Sequence, residues 1–203
     1  MAGGTLLYFT RHAEKQNVLT DSGGYFEQDC IEYEPGKICC TEELSDLGVL
    51  RRNELADRFA RKGITQRLTH VFASHKQRTA QTVQQVADEA GLTVQRVGPE
   101  ECLDPGMECA PGCESGKDSI PHILDAIRAL PRGSTALIAQ HSGAIYLVLE
   151  ALGIDTGDPV TFPRDEDGKV AGFNNLWKIK LRPSGEAVLK RHEVLDLTLK
   201  RTN

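Results

Sequence analysis

The sequence predicts an α/β fold of three layers, α/β/α, in which helices cover both faces of a largely parallel central sheet. Two observations support this prediction: short apolar runs alternate along the chain with segments of helical periodicity, and no internal repeat interrupts the alternation. Strands that are connected through helices pair in parallel, and the helices then cover the sheet. The chain has 203 residues, so we expect a single domain over 1–203.

Short apolar runs rich in branched or aromatic residues predict the strands. The first run ends at Thr10, and Arg11 and His12 follow directly. A late pair of runs, separated by a turn, predicts a hairpin. The predicted strands are 5–9, 69–73, 93–97 and 136–139, with the hairpin strands at 176–181 and 187–191.

Four segments have the spacing of amphipathic helices. The first begins near Ser45, a residue type suited to the N-cap, and ends at Gly63. We expect it to bury Leu47, Leu55 and Phe59. The other predicted helices carry their apolar residues over 83–90, 120–130 and 145–152.

Two irregular segments, at about 15–43 and 98–118, are predicted to be flaps, because loops of this length in a compact domain are usually functional or disordered. Both segments are rich in Asp and Glu, which is typical of solvated acidic loops. A sharper hypothesis is that these acids disfavour highly anionic substrates and favour substrates with a cationic flank.

The six cysteines divide evenly between the two flaps. Six reduced thiols are the favoured interpretation, disulfides between the flaps are the second, and a thiolate metal site is the third, because the spacing departs from that of zinc knuckles. The cysteines are Cys30, Cys39 and Cys40 in the first flap and Cys102, Cys109 and Cys113 in the second.

Composition excludes several classes of partner. The formal net charge of −5 argues against a nucleic-acid partner. No apolar run approaches the ~20 residues that cross a bilayer, so no membrane partner is expected. The first residues do not resemble a secretion signal, which predicts a cytoplasmic location, or a periplasmic or secreted one if a signal was removed. The oligomeric state is left open.

Basic side chains follow three of the predicted strands. Arg11 and His12 follow the first, Arg78 follows the second and His141 follows the fourth. Because ligands of parallel sheets bind beyond the carboxyl ends of the strands, we expect these side chains to converge. Arginine offers a planar fork of donors that suits phosphate oxygens, and histidine can donate to a phosphoryl group or attack its phosphorus.

Four ordered segments resemble the signature motifs of the histidine phosphatase superfamily, which includes phosphoglycerate mutases and phosphohistidine phosphatases. Gln140 stands where the family usually has glycine. The segments are Arg11-His12-Ala13-Glu14, similar to RH[G/A]E; 44–48, similar to L-[ST]-x-x-G; 74–82, similar to S-x-x-x-R-[AT]-x-Q-T; and 138–143, similar to the block that contains the second histidine.

The resemblance implies a phosphoglycerate mutase-like fold and a place in the small-phosphatase branch of the superfamily. His12 would be the nucleophile and would form a transient phosphohistidine. Arg11, Arg78, His141 and Ser142 would surround the phosphoryl oxygens. Fixed cations can stabilise the charge of phosphoryl transfer, so no metal and no cofactor is expected. The implied substrate is a phosphomonoester or a phosphohistidine, on a phosphorylated small molecule or a phosphoprotein.

The general acid is less well defined. Many family members carry an acid after the third strand, and Asp104 and Glu108 are the candidates in this sequence. Glu14 is expected instead to orient Arg11. The alternative function is a non-catalytic phosphate- or metal-binding module that retains the fold.

Overall fold

The computed structural model describes residues 4–14, 44–104, 113 and 115–195, together with the backbone of 17–19 and 25–27. Strands and helices alternate along these residues in the predicted order. The strands are β1 (Thr5–Arg11), β2 (Asn17–Leu19), β3 (Tyr25–Glu27), β4 (His70–Ser74), β5 (Val94–Val97), β6 (Thr135–Gln140), β7 (Asn175–Leu181) and β8 (Ala187–Val194). The helices are α1 (Asp46–Arg61), α2 (Gln77–Ala90), α3 (Ile120–Arg128) and α4 (Ser142–Ala151).

A six-stranded sheet in the order β5-β4-β6-β1-β7-β8 forms the centre of the fold. β1, β4, β5 and β6 run parallel to one another, whereas β7 is antiparallel to β1 and β8 is antiparallel to β7. The predicted largely parallel sheet is therefore confirmed. The carboxyl ends of β1, β4 and β6 lie at the same edge.

Helices cover both faces of this sheet, because successive strand residues point to opposite sides. Leu7 and Phe9 of β1 belong to a core cluster that includes Ile123 of α3 and Ile145 of α4. Tyr8, between them, belongs to a second cluster that α1 and α2 complete. The predicted three-layer α/β/α architecture is confirmed.

The start of α1 corrects one expectation. Ser45 is the N-cap, and its hydroxyl accepts a hydrogen bond from the Gly48 amide at 3.1 Å, as predicted. Leu47, however, is 46% exposed and does not join the core. The first turn packs through Gly48, where a Cβ would collide with the Glu14 carbonyl oxygen. This close approach directs the neighbouring Leu47 to the surface.

Most of the first predicted flap lies outside the described residues. Within it, the backbones of β2 and β3 pair as antiparallel strands. The described part of the second flap forms helical turns at Glu100–Cys102 and Gly116–Ser119. Among the described helices, none combines the length and apolar character needed to cross a membrane.

Cys102 and Cys113 form a disulfide, with their Cα atoms 5.5 Å apart. Both cysteines are fully buried. This pair corrects the favoured interpretation of six reduced thiols, and it links two parts of the same flap rather than the two flaps. The turn at Glu100–Cys102 places the cysteines within bonding distance, which the sequence spacing did not reveal. The remaining cysteines, Cys30, Cys39, Cys40 and Cys109, lie outside the described residues.

Candidate active site

The sheet brings the two sequence-predicted histidines together. β1 and β6 are parallel neighbours, and Arg11 is in register with Gln140. The amide of His12 donates to the Gln140 carbonyl at 3.0 Å, which extends the ladder by one residue. Because His12 and His141 follow these paired residues, their ring centroids lie 5.4 Å apart.

A cavity of about 550 Å³ opens at this edge of the sheet. Its size is in the range that holds a small organic ligand (~300–1,000 Å³). All five predicted phosphate-binding residues line it: Arg11, His12, Arg78, His141 and Ser142. Its other described lining residues are Glu14, Ser115, Gly116, Lys117, Gly143, Ala144, Asp165, Lys169 and Phe173.

The hydrogen bond made by His12 determines which of its nitrogens can act as a nucleophile. His12 Nδ1 lies 2.8 Å from the Ala13 carbonyl oxygen. A carbonyl oxygen can only accept, so Nδ1 carries the proton and the neutral ring keeps its lone pair on Nε2. Ala13 is fixed in turn, because its amide donates to the Thr82 hydroxyl at 2.9 Å. His12 is 5% exposed, so its orientation is set by packing as well.

Backbone carbonyls and an aromatic ring orient Arg11. Its Nη1 donates to the Val170 carbonyl at 2.8 Å and to the Gly172 carbonyl at 3.2 Å. Its Cζ lies 3.9 Å from the centroid of the Phe173 ring, a cation–π distance. Burial lowers the pKa of Arg11, an effect that Asp165 opposes. The Nε atom is buried and has no acceptor among the described residues.

His141 is held at both ring nitrogens. Arg78 Nη2 lies 3.1 Å from Nδ1, and Ser74 Oγ lies 2.9 Å from Nε2. A guanidinium only donates, so Nδ1 is the acceptor and Nε2–H donates to Ser74. Ser74 then donates to Thr79 Oγ1 at 2.8 Å, and Thr79 donates to the Lys76 carbonyl at 2.6 Å. The chain of donors ends on a carbonyl, which fixes the tautomer of His141.

The surroundings of His141 favour its neutral form. Burial, followed by the positive charge of Arg78, lowers the pKa of His141 well below the ordinary 6.5. A neutral ring presents its Nδ1 lone pair to the Arg78 guanidinium, in agreement with the tautomer deduced from the hydrogen bonds. The site therefore holds a neutral His141 imidazole beside the Arg78 guanidinium.

The second flap packs directly on His141. A Cβ on Gly116 would lie 2.7 Å from His141 Cβ and closer still to two ring carbons, so glycine permits this approach. The turn is tied to the sheet, because Gln140 Nε2 donates to the Ser119 hydroxyl at 3.1 Å. Gln140, the residue that replaces the family's usual glycine, thus connects the flap to β6.

The disulfide is connected to this site through His75. His75 is fully buried next to Ser74, and its Nε2 donates to the Cys113 carbonyl oxygen at 2.9 Å. The His75 carbonyl accepts a hydrogen bond from Arg96 of β5. Burial lowers the pKa of His75. Cys113 therefore links the flap to His75, which directly follows Ser74, the hydrogen-bond partner of His141.

The carboxylates at the cavity differ from the predicted ones. Asp104 is exposed and is not among the lining residues, and Glu108 lies outside the described residues. Glu14 lines the cavity, but it forms a bidentate pair with Arg51 of α1 rather than the expected contact with Arg11. Asp165 also lines the cavity, and its Oδ1 accepts from the Lys169 amide at 2.8 Å.

Sequence reasoning missed the contributions of the loop between α4 and β7. This loop supplies Asp165, Lys169 and Phe173 to the cavity and two carbonyls to Arg11. It is rich in turn residues and has no periodicity, so the only available signal was its position beside the carboxyl edge of the sheet. In the described part of the chain, no group of three or more His, Cys, Asp or Glu could hold a metal ion.

No family model and no curated protein matches the sequence, but solved structures match the fold. SixA from Agrobacterium tumefaciens has a TM-score of 0.59 and 16% identity, over 96% of this chain and 99% of that chain. The protein histidine phosphatase SixA complexed with tungstate has a TM-score of 0.54 and 13% identity, over 93% and 96%. Phosphoglycerate mutase from Plasmodium falciparum has a TM-score of 0.53 and 13% identity, over 93% of this chain and 90% of that chain.

The chain has the fold of the histidine phosphatase superfamily. The comparison thus confirms, for the fold, the resemblance that the four motifs predicted. TM-scores of 0.53–0.59 establish a shared architecture, whereas identities of 13–16% leave the reaction to be inferred from the site itself. Within this histidine phosphatase fold, the cavity lies at the carboxyl edge of the parallel strands, where ligands of such sheets bind.

Proposed function

We propose that the protein is a phosphatase that hydrolyses a phosphomonoester or a phosphohistidine through a phosphohistidine intermediate on His12. One observation carries this proposal: Nδ1 of His12 is committed to a carbonyl, so the lone pair of the buried ring is on Nε2, in a cavity that Arg11 and Arg78 also line. Solved neighbours whose names describe phosphatases share the fold, which supports the reaction class.

In the first step, His12 Nε2 forms a bond to phosphorus while the bond from phosphorus to the leaving oxygen or nitrogen breaks. The leaving atom takes up a proton. In the second step, water attacks the phosphorus, the bond to Nε2 breaks, inorganic phosphate leaves and His12 returns to its neutral form. Charge on the equatorial oxygens is offset by Arg11 and Arg78, which the fold orients in advance. Ser142, at the first turn of α4, can add a donor.

His141 would donate a hydrogen bond to the phosphoryl group when its ring is protonated. In the free site, its Nδ1 accepts from Arg78. A phosphoryl dianion beside this nitrogen offsets the cost of charging a buried ring, so the bound state favours a proton on Nδ1. The ring then donates to the phosphate through Nδ1 and to Ser74 through Nε2. Glu108 stays a predicted acid for an alkoxide leaving group, whereas Asp104 does not line the cavity. A phosphohistidine substrate needs such an acid less, because imidazole leaves more readily.

Hydrolysis of p-nitrophenyl phosphate tests the proposal. We expect turnover by the wild type and loss of turnover in His12→Ala, with removal of the nucleophile costing more than the ~10²–10³ in rate typical of one electrostatic contact. His122→Ala is the matched control, since His122 is an exposed histidine of α3 away from the cavity lining. Thermal unfolding of each variant separates loss of chemistry from loss of fold.

The intermediate can be observed directly. Acid-free quenching followed by intact-mass analysis should show one added phosphoryl group in the wild type and none in His12→Ala. A chelator should leave turnover unchanged, because the mechanism uses no metal. If the wild type binds tungstate but hydrolyses neither p-nitrophenyl phosphate nor a phosphohistidine peptide, the non-catalytic binding module is the correct function.

A further inference from the structure

The cavity extends past the residues that would hold a phosphoryl group. Its described lining includes two lysines, Lys117 and Lys169, which the proposed hydrolysis does not use. Both lysines, with Ser142 and Gly143, also line an adjoining cavity of about 180 Å³. The open space therefore continues from the phosphoryl site along the first turn of α4, where the remainder of a substrate would lie.

The two lysines come from separate segments and converge on one point. Lys117 lies in the flap turn Gly116–Ser119, and Lys169 lies in the loop between α4 and β7. A Cβ on Gly143 would lie 3.6 Å from Lys117 Cε and 3.8 Å from Lys169 Cγ. Gly143 has no side chain, so the space between the two lysine chains stays open toward the helix.

The charges in this part of the cavity leave Lys117 available. Lys169 Nζ lies 2.8 Å from the Asp167 carboxylate, which raises the pKa of the lysine. Lys117 makes no ion pair in the part of the chain that the structure describes. Glu14 is bound by Arg51, and Asp165 accepts from the amides of Lys169 and Asp167.

We propose that Lys117 and Lys169 bind a second anionic group, a carboxylate or a second phosphate, carried by the leaving part of the substrate. This inference rests on the proposed phosphatase function and narrows its substrate class. It runs against the hypothesis that acidic flaps disfavour highly anionic substrates, because the described part of the second flap contributes Lys117, and no acid, to the cavity lining. When the substrate binds, its anionic group would replace Asp167 as the partner of Lys169; the Lys169–Asp167 ion pair is exposed to solvent.

Matched aryl phosphates test the second site. The substrates are 3-carboxyphenyl and 4-carboxyphenyl phosphate, each compared with its carboxamide, which has similar shape and no charge. We expect the wild type to prefer at least one carboxylate by about 10-fold in kcat/KM, the size of one charge-assisted hydrogen bond. The preference should shrink as salt is raised, because the lysines are partly exposed to solvent.

Lysine variants assign the preference to these residues. In Lys117→Met/Lys169→Met, the ratio of carboxylate to carboxamide kcat/KM should fall to within about 2-fold of unity, and Lys117→Arg should retain it. Lys62→Met, at the exposed C-terminal end of α1, is the matched control and should keep the wild-type ratio. Asp167→Asn removes the competing carboxylate and should raise the ratio.

Two results would overturn the inference. One is equal kcat/KM for both members of each pair in the wild type, and the other is a wild-type ratio in the double lysine variant. Either result would leave the phosphatase function intact, because p-nitrophenyl phosphate would still be hydrolysed. Absence of turnover with every aryl phosphate and with a phosphohistidine peptide would instead refute the proposed function.

Discussion

Substitution of Gly116 by alanine isolates the contact between the flap and His141. The new Cβ would lie 2.7 Å from His141 Cβ, whereas carbon atoms pack at about 3.5–4.0 Å. Two ring carbons would lie closer still, so the flap and the ring must separate by about 1 Å or more. A misplacement of this size can lower a rate about 100-fold, so we expect kcat/KM for p-nitrophenyl phosphate to fall by about two orders of magnitude. Gly116 has no positive φ, so the backbone itself accepts alanine.

The assay compares Gly116→Ala with Gly143→Ala, whose added methyl group meets its nearest neighbours at 3.6 and 3.8 Å and is expected to have a much smaller effect. Inhibition by tungstate should weaken together with kcat/KM, because the displaced His141 would also serve oxyanion binding. Thermal unfolding should show both variants to be folded. A folded Gly116→Ala variant with wild-type kcat/KM would refute the reasoning that flap packing positions His141.

Three further predictions follow from the same contacts. Ser74→Ala removes the acceptor of His141 Nε2–H, and a buried donor left unsatisfied costs about 1–3 kcal/mol. The value of kcat/KM should therefore fall by about 5- to 150-fold. Steady-state kinetics will measure this fall, with Ser74→Thr as the control variant. Burial lowers the pKa values of His75 and His141, so near pH 6.5 the unfolded chain binds protons that the folded chain does not. The free energy of unfolding should therefore fall as the pH drops below about 6.5. Urea titrations at several pH values will measure this, and a constant free energy would contradict it. Reduction of Cys102–Cys113 opens a loop with a sequence separation of 11, so urea unfolding with and without reductant should differ by about 3 kcal/mol, and no difference would mean that the bond constrains little.

The sheet and its helices were predictable because their signals are local. Apolar runs predicted all six strands of the central sheet, and Ser45 marked the start of α1, which the structure confirms. The predicted burial of Leu47 was wrong for a non-local reason: the first turn of α1 packs on the backbone of Glu14, a contact that periodicity does not encode. Hydrophobic spacing describes a face of a helix, and it does not state where that face begins.

The candidate site was predictable where its residues follow strands. Arg11, His12 and His141 meet because parallel strands end at one edge, a rule that requires only the strand order. Asp165 and Phe173 could not be found this way, because their loop has no period and reaches the cavity only through tertiary packing. The Cys102–Cys113 pair depended likewise on the path of a flap, which the spacing of cysteines leaves undetermined.

The acceptors that hold Arg11 come from the opposite end of the chain. The arginine is bonded to the carbonyls of Val170 and Gly172, which are 159 and 161 positions later in the sequence. During synthesis, β1 emerges first, yet the guanidinium of Arg11 at its end cannot reach these carbonyls until residue 172 has left the ribosome. A polypeptide that ends before that loop would keep Arg11 without these two acceptors, so the orientation of this guanidinium is completed only late in translation.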